Sequence, residues 1–174
     1  MSKILGFVSV TAALLTVSTM ALAQSKMNDA RIAKALITIN EGEIDAGQTA
    51  HRKAQTKEVK DFADMMVTEH KNNIKETRKV AHAAKFSPEK SELSESLKDM
   101  AQSSNKDLKK TDKAAFDSAY VNQQVTMHEK ALSTLNDTLI PQASSAELKS
   151  HLEKTRGAVS MHLDHAKKMQ AQVK

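Results

Sequence analysis

The chain has 174 residues with no Cys, no Trp, four Gly, two Pro and a formal net charge of +5. Without Cys no disulfide scaffold can form, and a domain of this size buries roughly 68–70% of its unfolded surface and needs none. The length argues against a multidomain machine, and the scarcity of turn formers against an extended β-protein.

Residues 1–23 read as a removable export signal. Lys3 is a short basic start, Ile4 to Met20 is an apolar run, and Ala21-Leu22-Ala23 is an A-x-A cleavage site before Gln24. The run is short for a membrane anchor and contains Ser9, Thr11, Thr16, Ser18 and Thr19. No Cys follows it, so no lipid-modified cysteine is expected, and the mature chain is expected in the periplasm.

Residues 24–174 are expected to form a single all-α domain. The first long helix is predicted over 28–54, ending at a weak break with Thr56 as the next cap. The second runs over 57–85 and stops at Phe86-Ser87-Pro88, where Ser87 can cap and Pro88 suits a first helical position. A shorter helix follows over 88–103, bounded by Ser103-Ser104-Asn105. The third long helix is predicted over 112–140, because the residue before Pro141 is pushed out of the α region. Ser144 and Glu147 form an S-x-x-E capping box for the fourth, over 145–172. Helices of about 28 residues are ~42 Å long, and amphipathic helices of that length pack as four-helix bundles. The 88–111 segment is long enough to cross the bundle, so both a simple antiparallel order and a ferritin-type crossover stay open.

Each residue turns a helix by about 100°. Within about 40° of Glu43 lie Ile32, Leu36, Ile39 and Ala50. His70 shares its face with Val59, Ala63, Met66, Ile74, Thr77 and Ala81. His128 shares its face with Val121, Leu132, Leu135, Leu139, Gln124 and Asp117. His162 shares its face with His151, Thr155, Ala158, Ala166, Met169 and Val173. Each apolar stripe thus carries an ionisable residue near mid-helix, and mid-helix positions stay level whichever way the helices run. A buried lone carboxylate or imidazole is costly. Three imidazoles and a carboxylate at one level are metal-ligand chemistry suited to Zn, Cu or Fe. The expected metal residues are therefore Glu43, His70, His128 and His162. Glu69, Asp117 and His165 stand nearby as supporting partners or substitute ligands. The competing expectation is a Glu–His hydrogen-bonded core without metal, in a chaperone-like or structural envelope module.

Other features point to bland roles. Met65, Met66, Met127, Met161 and Met169 could offer thioethers to copper, but Met also fills gaps between helices. His51 and His82 point off the stripes. Lysines alternate with acids, and no aromatic-studded basic patch is present, so nucleic acid is not an expected partner. There is no Gly-rich phosphate loop, no G-x-S-x-G, no Cys nucleophile, and no E-x-x-H pair of the di-iron carboxylate kind.

Several of these residues carry a resemblance. They include Gly42-Glu43-Ile44 with Gly47-Gln48 and Ala50, then Val59-Lys60-Asp61-Phe62-Ala63 with Met66 and Glu69-His70. Phe116-Asp117, Tyr120-Val121, His128, His162-Leu163 and Ala166 continue it. Over about residues 30–170 the chain resembles the bacterial exported family called "domain of unknown function 4142". Glu69 stands where that family more often has Asp, which keeps the carboxylate. The resemblance implies export to the periplasm or outer membrane and a ferritin-like four-helix bundle, and it implies no activity.

Overall fold

The computed structural model describes residues 27–173. The export signal expected over 1–23 lies outside them. Helix α1 spans Asp29–Lys53, α2 Lys57–Ala83 and α3 Glu92–Lys110. A 3-10 turn, Lys113–Ala115, leads into α4, Phe116–Thr134. A π-helical turn, Leu135–Leu139, continues α4 into the last helical turn α5, Ile140–Gln142. Helix α6 spans Ala146–Gln170. There is no strand among the described residues.

Side-chain caps start α1, α2 and α6: Thr56 is the cap the sequence predicts, α6 is capped by Ser145 rather than Ser144, α4 starts without a side-chain cap, and there are two further exceptions. Asn28 accepts from Arg31 N–H, Thr56 from Val59 N–H and Ser145 from Leu148 N–H. Each satisfies a donor that the first helical turn would leave orphaned. The first exception is α3. It starts at a capping box of Ser91 and Ser94 rather than at Ser87 and Pro88. It also runs through Ser103-Ser104-Asn105 without a break, because Asn105 spends its side chain on α1, donating to Gly42 O at 2.9 Å. The second exception is Pro141, which sits inside the last helical turn rather than just beyond it. A proline ring clashes with the carbonyl four residues back, and the wider π turn just before it makes room, so the rod continues to Gln142. Helix α2 closes with Lys85 at φ 59°, a conformation glycine more often supplies, and Phe86 N–H bonds back to Ala81 O.

Contacts at the two ends fix the topology. At one end Asp29 accepts from Ser144 and Ser145 N–H, and Glu89 N–H donates to Ala30 O. At the other end Lys53 donates to the carbonyls of Lys109 and Thr111, and Asp117 accepts from Gln55 and Thr56 N–H. Helices α1, α3 and α6 therefore run one way, and α2 and α4 the other. α1 packs mainly on α2, and α4 on α6. α3 lies outside the four, against α1, and carries the chain from the end of α2 to the start of α4. This is the crossover order of ferritin-like bundles. Close approach is written into Gly42: a Cβ there would lie 2.7 Å from the Ala101 Cβ of α3. Gly47 does the same between α1 and α2, where a Cβ would lie 2.8 Å from Val67 Cγ2.

The apolar core falls into two blocks. One, at the α1–α2 turn, contains Ala46, Val59, Phe62, Met66, Phe116, Tyr120 and Ala166. The other, at the opposite end, contains Ile32, Leu36, Leu135, Leu139, Leu148, Leu152 and Val159. Burying side chains of this size contributes about 1.5–3 kcal/mol each. Between the blocks lies a buried polar layer of Glu43, His70, Gln124, His128 and His162.

Candidate metal centre

Mid-helix placement on three different helices brings His70 of α2, His128 of α4 and His162 of α6 face to face. Their ring centroids stand 5.4–5.8 Å apart. One ligand atom from each lies within 4.8 Å of the other two. Three nitrogens at the corners of such a triangle sit at most ~2.8 Å from its centre, against ~2.0–2.1 Å for a Zn–N bond. Each imidazole needs to move inward by ~0.7 Å or less to share one ion.

The hydrogen bonds of the three rings sort their nitrogens into two kinds. His70 Nδ1 donates to Asn40 Oδ1 at 2.8 Å. The Asn40 oxygen is fixed as the acceptor because Asn40 Nδ2 donates to Leu36 O and to Asn73 Oδ1. His128 Nδ1 donates to its own helix, at Gln124 O, 2.9 Å away. His162 Nε2 donates to the Glu69 carboxylate at 2.7 Å. Each partner is an acceptor, so each of these nitrogens carries the proton. The remaining nitrogens, His70 Nε2, His128 Nε2 and His162 Nδ1, are buried and have no hydrogen-bond partner. In a neutral ring that nitrogen holds a bare lone pair. An imidazole that donates one N–H to a carbonyl or carboxylate and offers the other nitrogen is the arrangement typical of a metal-ligating histidine.

The electrostatics favour neutral rings at His70 and His162. Burial holds His70 well below the ordinary histidine range, and His128 and His162 beside it push the same way. Burial lowers His162 too, against the opposing pull of its bond to Glu69. Burial pushes the Glu43 carboxyl up, partly offset by His128 and by the hydrogen bond from Gln124.

The other expected residues are placed as follows. Glu43 Oε1 approaches His128 at 3.6 Å, but on the Nδ1 side, where the nitrogen is already committed. Gln124 Nε2 holds its other oxygen at 2.9 Å. Glu43 is thus outside the set of three converging ligand atoms, and α1 reaches the triad through Asn40 instead. Glu69 supports His162, as a residue one position from His70 can when α2 faces α6. Asp117 is not near the triad. Its carboxylate takes the N–H groups of Gln55 and Thr56 and the Thr56 hydroxyl at the start of α2, because α4 begins at that end of the bundle. His165 is exposed and packs edge-on to Phe62, with centroids 4.9 Å apart. His51 is exposed and pairs with Asp64. Asn40 and Asn73 escaped the stripe reading. Each lies three residues from the reference residue of its helix, turned about 60° away, outside the 40° window. An Asn three residues from the ionisable residue, at the edge of such a stripe, is the signal that would have found them.

No curated protein matches the chain. Among solved structures, one described as "CopM in the Cu(II)-bound form" is similar, with a TM-score of 0.60 and 16% sequence identity. The match covers 84% of this chain and 98% of that one, and it supports the helical fold. A family model described as "Domain of unknown function (DUF4142)" matches residues 15–169, and the chain belongs to that family.

Proposed function

We propose that this is an exported periplasmic protein that binds one transition-metal ion at mid-bundle, through His70 Nε2, His128 Nε2 and His162 Nδ1. The observation that carries the reading is the split between nitrogens: one of each ring is tied to an acceptor, and the other is buried with no partner among the described residues. A buried polar atom without a partner costs ~1–3 kcal/mol, and an ion shared by all three removes that cost together. The donor set suits Cu, Zn or Fe. Copper is the first ion to test, because the similar structure is of a copper(II)-bound protein. The Glu69 carboxylate, bonded to His162, supplies negative charge beside a bound dication. The competing reading, a self-contained hydrogen-bonded core, needs protein partners for these three nitrogens, and none of the described residues supplies one. Export rests on the pattern of residues 1–23. Metal storage and redox chemistry both remain within this proposal.

Elemental mass spectrometry of the mature protein, purified without chelators and then titrated with Cu, Zn and Fe, tests it. One ion per chain is expected, lost when His128 and His162 are both changed to Ala. Stoichiometric binding that survives the double substitution would overturn the assignment, as would no binding of any of the three ions to the wild type.

A further inference from the structure

Next to the triad the four helices leave a cavity of about 40 Å³, walled among others by Asn40, Glu69, His70, Asn73, Ala158 and His162. Two of its walls are ligating rings of the proposed centre. A water molecule's share of the liquid is about 30 Å³, so the space takes one water or a ligand of two or three atoms, and no ring. Glu69 is exposed and Asn73 and Ala158 are half-buried, so the cavity reaches the surface along the seam between α2 and α6. The small side chain of Ala158 keeps that seam open.

The polar atoms around it are mostly committed. Asn73 Oδ1 accepts from Asn40, and Thr155 donates to His151 O. Asn73 Nδ2 gives one hydrogen to Thr155, at 2.8 Å, and has a second to offer. A spare N–H beside a metal position suits an oxygen or an anion, not a cation. Glu43 does not wall this cavity; the Glu69 carboxylate does, with one of its oxygens committed to His162 Nε2.

We infer that the cavity is the open coordination position of the proposed centre, and that it admits water or an anion of up to three atoms through the α2–α6 seam beside Ala158. This rests on metal binding by the three histidines. A site with three protein nitrogens and one exchangeable position is the form that reactive metal sites take, whereas structural sites are closed.

Azide is the probe, titrated into the full mature protein loaded with one equivalent of Cu(II). The readouts are the azide-to-copper charge-transfer absorption and the copper electron paramagnetic resonance signal. Wild type is expected to show a saturable change. Ala158→Leu fills the cavity and is expected to bind azide at least tenfold more weakly with its copper stoichiometry unchanged. Ala158→Val, a smaller filling, serves if the Leu variant folds poorly, and is expected to weaken azide in the same direction. A loaded wild type that ignores azide overturns the inference while leaving metal binding intact. Equal azide affinity in the wild type and in filled, copper-loaded variants overturns the route beside Ala158. Failure of the wild type to take up copper in the first place is a distinct result, which sinks the metal reading beneath it.

Discussion

His128→Leu separates what the triad costs from what it does. His128 is 1% exposed, and its Nδ1 bonds only to the carbonyl of Gln124, one turn back in its own helix. That carbonyl keeps its helical hydrogen bond when the ring is removed, and in a Glu43→Gln background, where no carboxylate loses the support of His128, the main change is loss of the unpartnered Nε2. Removing such an atom returns ~1–3 kcal/mol. A near-isosteric apolar replacement costs below ~1.5 kcal/mol in repacking. The metal-free variant should therefore lie between about zero and +3 kcal/mol relative to its Glu43→Gln parent. For a chain of this size each kcal/mol moves Tm by ~2–4 °C, so the variant should melt at or above that parent. Copper should do the reverse. At a free concentration of 100 Kd it stabilises the parent by ~2.7 kcal/mol, a rise of roughly 5–11 °C, and leaves the variant almost unmoved. Thermal melts by circular dichroism, with and without Cu(II), read both numbers. A metal-free variant clearly less stable than that parent that keeps the full copper response would refute the reasoning.

Two further outcomes are expected. The metal-free protein should lose stability as pH falls: His70 and His162 titrate below the ordinary range when folded, whereas the unfolded chain takes up their protons near ~6.5. The unfolded state then binds more protons, so stability declines from about pH 6.5 downward until the folded values are passed. Glu43, raised by burial, works in the opposite direction, and half-buried His151 in the same one, so both are changed to Gln for the measurement. Urea unfolding from pH 7.5 to 5.5 reads the slope, and a flat profile would contradict neutral buried rings. Asp117→Ala should cost about 2–3 kcal/mol, because three hydrogen bonds to a carboxylate at the start of α2 are lost together. Its copper stoichiometry should equal that of wild type, and a loss of copper binding would restore Asp117 as a ligand.

The sequence determined the class of this protein through features that act over one or two helical turns. Good helix formers, four apolar stripes and a side-chain cap such as Thr56 are local, and they gave the long helices to within a few residues. The level placement of His70, His128 and His162 was legible too, because mid-helix positions coincide in a bundle of either helix order. Local rules failed where a distant partner intervened. Asn105 reads as a break until Gly42 of α1 takes its amide, and Pro141 reads as a stop until a π turn accommodates it. Only the tertiary structure chose the crossover path of α3, since both helix orders bury the same stripes. Only it turned Asp117 into a helix cap, moved Glu43 to the committed side of His128 and brought Asn40 to His70. Periodicity says which face of a helix is buried; which ring nitrogen is bonded and which is left open depends on what the neighbouring helices bring opposite it.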